Sequence, residues 1–310
     1  MTDKTKPNRR KLWHHHPPLP IPVTPAFNWP PRLPAALKWV ANRWINVTAS
    51  TLFLALAILV FNLGLLPGDT ATSLSPGWIL EIWLRNISLL LLFAGSLHCW
   101  LFTFSGQEKR YKFDAQPMRP NHKRFSFGNQ VYDNMFWTLS SGVAAMTFFE
   151  VLYWWAVAND IAPVMAFSGA EPWFFIWIIA LPIISSAHFY WVHRLLHWPP
   201  LYRKVHALHH RSVNIGPWSG ISMHPVESLL YMSDLLIHLF IPTHPVIFLL
   251  HLYLRAIVPA FTHAGFEKVI AGNTQLVGAG DFYHQLHHRF FECNYGTADM
   301  PWDRWFGSFH

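Results

Sequence analysis

The sequence predicts an all-α integral membrane protein: four transmembrane helices and a re-entrant helical hairpin beneath a cytoplasmic, histidine-rich helical cap. Three observations predict it. Of 310 residues, 52% are hydrophobic and only 13% are charged, about half the ~25% charge typical of soluble domains. The apolar residues gather into runs long enough to cross ~30 Å of hydrocarbon. Fourteen of the twenty histidines lie between His188 and His288.

Residues 1–45 read as a basic, proline-rich, extended cytoplasmic tail, with His14-His15-His16 part of a disordered stretch. Proline, not an apolar core with a cleavage site, follows its basic residues, so it is no signal peptide. Residues 46–192 form the transmembrane part, interrupted by a cytoplasmic loop at 105–134. The first span covers 46–66 and ends at Pro67-Gly68; the second runs from Ile79 to Phe104. Glu81 and Arg85 lie one turn apart near its start, placed to pair or to reach the interface. His98, further along, reads as a ring bonded to a backbone carbonyl rather than a functional group. The third span runs from about Met135 to Ala158 and holds Glu150, to which no role is assigned. The fourth runs from Trp173 to about Tyr190, kinked at Pro182.

Residues 228–260 are apolar but broken by Pro242, Pro245 and Pro259. That is too long for one crossing. Two half-length helices, entering and leaving from the cytoplasmic side, keep the flanking histidines together, and His238, His244 and His251 serve their packing. Irregular backbone at this depth must be covered by protein. No strand pattern is visible.

Charge sets the orientation. Eight Lys/Arg precede Trp44 and six lie between Lys109 and Arg124, whereas 67–77 and 159–172 contain none. By the positive-inside rule the tail and the loop face the cytoplasm, and four crossings return the chain there at His193. The same asymmetry assigns the basic patches to membrane orientation, not to a nucleic-acid partner. Cys99 and Cys293 are too few for a disulfide framework or a thiolate metal site.

Residues 193–310 carry the chemistry. His193/His197, His206/His209/His210 and His284/His287/His288 recur at i, i+3 and i+4, neighbours on one helix face. Single histidines cap helices or sense pH. Eight in three groups exceed the four ligands of a structural zinc or the three of a catalytic one, and match two metal ions with open positions. His224 and His263 are further candidate ligands. Glu227 and Asp281 are the carboxylates placed to orient ring N–H groups, although Asp281 could equally cap its helix. Imidazole suits zinc, copper, iron and nickel alike. A site at the bilayer surface, under an aromatic-rich bundle, favours an apolar lipid substrate. Breaking an unactivated C–H bond there calls for one-electron and O2 chemistry, which zinc lacks. Gly278-Ala279-Gly280 lacks the third glycine and preceding strand of a dinucleotide site.

These residues resemble the membrane fatty acid hydroxylase and sterol desaturase superfamily. Its three boxes, HxxxH, HxxHH and HxxHH, are matched in order, with similar flanks at Tyr190-Trp191-Val192-His193-Arg194 and His224-Pro225-Val226-Glu227. Asn294-Tyr295-Gly296 and Trp302-Asp303-Arg304-Trp305-Phe306-Gly307 are similar to the family's ending. Residues ~130–310 carry the resemblance. It implies a non-haem di-iron oxygenase that hydroxylates or desaturates a sterol- or fatty-acyl-like lipid. Many relatives carry an acidic residue before the first box; here Ser185, Ser186 and His188 stand there, and His188 takes that place. The haem-binding HPGG of cytochrome b5 fusions is missing, so electrons come from a separate ferredoxin or cytochrome with its reductase. An ether-lipid monooxygenase, a carotenoid hydroxylase or a non-redox metal-binding membrane protein are the alternatives. A bacterial inner membrane or the endoplasmic reticulum would house any of them.

Overall fold

The computed structural model describes residues 13–30, 32–44 and 49–310. Two helices, α1 (Leu33–Trp44) and α2 (Ala49–Asn62), lead into three long apolar ones, α3 (Pro76–Thr103), α4 (Gln130–Ala158) and α5 (Glu171–Leu196). Short helices α6 (Pro199–Lys204) and α7 (Pro225–Tyr231) precede the apolar α8 (Pro245–Thr262). An antiparallel hairpin of β1 (Lys268–Ala271) and β2 (Thr274–Gly278) follows, then α9 (Phe282–Phe290) and α10 (Trp302–Trp305). Helices α3, α4, α5 and α8 are each long and apolar enough to cross a membrane.

Proline stands in the first turn of α3, α5, α6, α7 and α8, where its missing N–H leaves no bond unmade. Side chains close other free amides: Asn129 accepts from Val131 and Tyr132, and His244 from Val246. Three π turns, Leu91–Gly95, Cys99–Thr103 and Thr138–Gly142, interrupt α3 and α4. At the third, Thr138 Oγ1 donates to the Trp218 carbonyl and Ser141 bonds Ser228, tying α4 to the histidine region.

Several expectations change. Of the tail, residues 1–12, 31 and 45 lie outside the described residues. The rest is not loose sequence. His14 N–H donates to the Phe113 carbonyl, His15 pairs with Glu267 at 2.6 Å, and Trp13 packs edge-on against Phe282. The first expected span begins in residues 45–48, also outside the description; its helix, α2, has 14 residues. It packs along α8, with Phe53 against Phe261. Arg85 does not pair with Glu81. It reaches the buried Glu150, which also accepts from Asn86 and Trp154, because a buried carboxylate needs a counter-charge more than an exposed one does. His98 stacks on Phe102 while its buried Nδ1 meets no acceptor, so the carbonyl bond expected for it is not made. The β hairpin has no counterpart in the sequence reading: its alternation is weak, and β1 alone is half buried.

The proline-broken segment also differs in depth. Its first arm is α7 followed by a 3-10 segment, Ser233–Leu239; its second is the 18-residue α8, buried almost throughout. The turn between them reaches the loop that joins α4 to α5. Thr243 bridges Val164, Met165 N–H donates to the Thr243 carbonyl, and Trp173 Nε1–H donates to that of Pro242. This loop lies at the end of α5 away from His193. The arms are therefore not half-length. Pro259 sits in a first turn of the last part of α8 and does not end it.

Candidate metal centre

Helix α5 carries His193 on its last turn and His197 at its cap. Pro199-Pro200 then starts α6, and the second box follows on a 3-10 segment, His206–Arg211, rather than on the α-helix expected for it. Helix α9 carries the third box and is N-capped by Asp281, which accepts from Tyr283 N–H. His263 follows α8 directly.

These elements assemble two groups of imidazoles. His193, His197, His206, His210 and His287 form one; His209, His263, His284 and His288 form the other. Within each, the available ring nitrogens lie within 4.8 Å of one another. The boxes are not the units of the centre. His206 and His210 turn to the first group and His209 to the second, while α9 sends His287 to the first and His284 and His288, four residues apart, to the second. All eight box histidines and His263 are brought together; His224 is not. Its Nδ1 accepts from Val226 N–H, making it the N-cap of α7.

Backbone carbonyls orient the rings. His193 Nδ1 donates to Tyr295 O and His287 Nδ1 to Cys293 O, each at 2.7 Å; His263 Nδ1 donates to Pro259 O at 3.0 Å. Each such donor fixes the tautomer and leaves Nε2 as a lone pair. Glu227 does the same for His206, whose Nδ1 lies 2.6 Å from its carboxylate. His188 does not join them. Its Nε2 meets Ser233 and its Nδ1 faces Arg255, within a separate polar cluster.

Asp303 is the supporting residue that sequence reasoning missed. Its carboxylate accepts from Tyr295 N–H at 2.8 Å, Gly296 N–H at 2.7 Å and the Ser308 hydroxyl at 2.7 Å. A Cβ at Gly296 would sit 3.0 Å from that carboxylate. The clamp thus holds the turn that offers the Tyr295 carbonyl to His193. Its signal was present: a carboxylate inside the aromatic run Trp302-Asp303-Arg304-Trp305-Phe306.

The donor set asks for cations. His210 Nε2 lies 3.0 Å from both His206 Nε2 and His287 Nε2. The latter two are lone pairs, because their Nδ1 protons are committed to Glu227 and Cys293. One proton on His210 cannot satisfy both well. In the second group, His263 Nε2, again a lone pair, lies 3.1 Å from His284 Nε2 and 3.3 Å from His288 Nε2. Burial, and then the neighbouring imidazoles, push His206, His210, His284, His287 and His288 well below the usual histidine range. The same causes lower His197 and His209 to about 3. Protonation cannot therefore relieve the crowding near neutral pH. Neutral imidazoles converging lone pairs are what a divalent transition metal takes, and two such ions fit these residues.

An apolar cavity of about 290 Å³ opens onto both groups, at the small end of the ~300–1,000 Å³ usual for ligand pockets. His193 and His206 of the first group line it, as do His209, His263 and His284 of the second. From α5 it is lined by Pro182, Ser185, Ser186, Phe189, Val192, His193 and Leu196, one face of a helix at i, i+3, i+4 and i+7.

A membrane-length helical bundle closed by nine imidazoles, eight of them buried, defines a histidine-rich metal-binding class. Comparison with known proteins makes it specific. The fatty acid hydroxylase family matches residues 178–308. A Delta(7)-sterol 5(6)-desaturase of Aspergillus fumigatus is 29% identical over 256 residues, 74% of this chain and 77% of that one. Others from Gibberella zeae and Saccharomyces cerevisiae are 32% and 33% identical, over 44% and 39% of this chain. Those alignments span only 42% and 32% of the relatives' own lengths. No solved structure matches. Residues 178–308 thus match the fatty acid hydroxylase family, and similarity to a sterol 5(6)-desaturase extends over about three quarters of the chain.

Proposed function

We propose that this protein is an O2-dependent di-iron oxidoreductase that desaturates or hydroxylates an unactivated C–H position of a membrane lipid, with a sterol as the first substrate to test. One observation carries the reading: two groups of neutral imidazoles stand side by side along one apolar cavity within a membrane-length bundle. The similarity to sterol 5(6)-desaturases supports the substrate class.

His193, His197, His206, His210 and His287 would hold one iron, and His209, His263, His284 and His288 the other. Bound iron supplies the one-electron and O2 chemistry that imidazole itself lacks. The chain's own residues do the rest. Carbonyls of Tyr295, Cys293 and Pro259 fix ring orientation, and such partners strengthen the ligand's basicity. Burial raises Glu227 well above the carboxylate range and lowers its partner His206, so their Nδ1–H···carboxylate arrangement is the one that a neighbouring bound cation would favour. Phe189, stacked on His193, lines the cavity and would keep water from the reacting carbon.

Electrons would reach the site from a separate redox protein docking on the basic face that carries Lys109–Arg124, which the charge asymmetry assigns to the cytoplasm. The test is direct. Purified protein should contain two irons per chain and consume O2 only with a reductant and a lipid. A single zinc, or lipid left unchanged while iron is fully loaded, would sink the proposal.

A further inference from the structure

A second buried cluster lies outside the metal centre, between the cavity and the loop joining α4 to α5. Asp234, His238 and His251 are almost wholly buried. Asp234 Oδ2 lies 3.1 Å from His251 Nε2; His251 Nδ1 lies 3.0 Å from His238 Nε2; His238 Nδ1 lies 2.9 Å from Thr243 Oγ1. His251 Nε2 also lies 2.8 Å from Ser185 Oγ, and Ser185 lines the cavity. The bonds run without a gap from Thr243, at the turn bridging Val164, to the cavity wall.

One carboxylate orients the whole row. Arg255 Nε lies 3.2 Å from Asp234 Oδ1, an ion pair misaligned for a hydrogen bond, and this keeps Asp234 ionised and accepting. His251 must then carry its proton on Nε2, which leaves Nδ1 to accept from His238 Nε2–H. That in turn leaves His238 Nδ1 to accept from the Thr243 hydroxyl. Every donor points toward Asp234 and Ser185. The other titratable groups facing the row are His188 on α5, Tyr231 on α7 and Tyr153 on α4. Intramembrane ionisable residues in a continuous row are the usual construction of proton relays.

We propose that Thr243–His238–His251–Ser185 is a proton-access path that feeds the cavity from the face opposite the histidine cap. It rests on the oxidoreductase reading, whose desaturation consumes one O2, two electrons from the external donor and two protons for each C=C bond formed, leaving two waters. A proton arriving at Thr243 Oγ1 releases that hydroxyl's proton to His238 Nδ1. His238 passes its Nε2 proton to His251 Nδ1, and His251 passes its Nε2 proton to Ser185 Oγ. Ser185 releases its own hydroxyl proton into the cavity. One N–H or O–H bond forms for each that breaks, and no electrons move. Asp234 stays ionised and pairs each transient imidazolium. Return of the two rings to the starting tautomer resets the row. Ser185 precedes His193 by eight residues on α5, ~12 Å along the helix, so cavity water completes the route.

The test has two arms. In metal-free full-length protein, 15N NMR of the histidines should place the protons of His238 and His251 on Nε2; a proton on Nδ1 of either ring overturns the path. In iron-loaded protein oriented in liposomes, turnover should rise with acid on the side of loop 159–170 and not on the cap side. Thr243→Val should cut turnover about tenfold, a modest share of what positioned proton transfer contributes. It should enlarge the solvent deuterium isotope effect and leave iron content unchanged, and Thr243→Ser should restore both turnover and the isotope effect. Wild-type turnover and isotope effect in Thr243→Val, or a response to cap-side acid alone, overturns the path. If the protein takes up no iron or O2, the oxidoreductase reading fails, and the tautomers still decide whether the row is oriented as described.

Discussion

Two buried histidine clusters share this bundle, and they solve the problem of buried polarity in opposite ways. At the cap, nine imidazoles gather in two groups, each with its ring nitrogens within 4.8 Å of one another, and the Nδ1 protons of His193, His263 and His287 go to carbonyls and that of His206 to Glu227. Nothing inside either group offers positive charge. Deeper, His238 and His251 sit beside an ionised Asp234 and its Arg255 partner, and every ring nitrogen in that row has a complement. The first arrangement is complete only with cations; the second is complete by itself. Counting histidines cannot separate them. The position of one carboxylate does.

Substitutions that break this contrast should act very unequally. His263→Ala, in the four-member group, leaves three donors beside the cavity. It should lower iron from two to one per chain and abolish lipid turnover, as read by elemental analysis and product assay. His197→Ala, in the five-member group, leaves four and should retain more metal. The self-sufficient polar sites should instead fail by unfolding. Glu150→Ala strands Arg85 in a buried setting, an uncompensated charge that costs about 3–5 kcal/mol. Its signature is a lower unfolding midpoint, with metal binding unchanged in the fraction that remains folded.

Asp303→Ala should be milder. Freed from the clamp, Tyr295 presents its carbonyl less firmly to His193, and loss of such an orienting partner typically weakens metal affinity 10–100-fold. A competition titration with a chelator measures it; unaltered affinity would mean that the turn holds its shape alone.

Acid should expose the difference without mutation. The cap histidines outside the spans have folded pKa values depressed below the ordinary 6.5, to about 3 for His197 and His209. Between those limits the unfolded chain binds more protons, so stability rises with pH. Their contribution is whole above pH 6.5 and lost as pH falls toward 3. The metal-free protein should therefore melt at steadily lower temperature over that interval. A flat profile would show that the imidazoles are not buried neutral.

How much of this was legible in the sequence depends on what each feature needs. The boxes were readable because ligand spacing is local, and the long apolar helices because hydrocarbon sets a length. Partition of the boxes into two metal groups was not readable. In both the second and third boxes the i and i+4 rings share a group while the i+3 ring joins the other, a split that depends on what packs against each side of the segment. No spacing ties His263 to a box; only the return of α8 to the cap places it 3.1 Å from His284. Asp303 reads in the sequence only as part of the C-terminal motif, since its three bonds form only when the C-terminus folds back. Arg85 chose Glu150 over Glu81 for a reason that sequence separation hides, namely burial. Trp13 and His15 dock on the cap through contacts almost the length of the chain away.

The most direct test of the central claim is the metal content of the purified chain and of His263→Ala, measured side by side. The account predicts two irons in the first and one in the second. A single metal in the wild-type protein, or two in the variant, would contradict the division into two histidine groups.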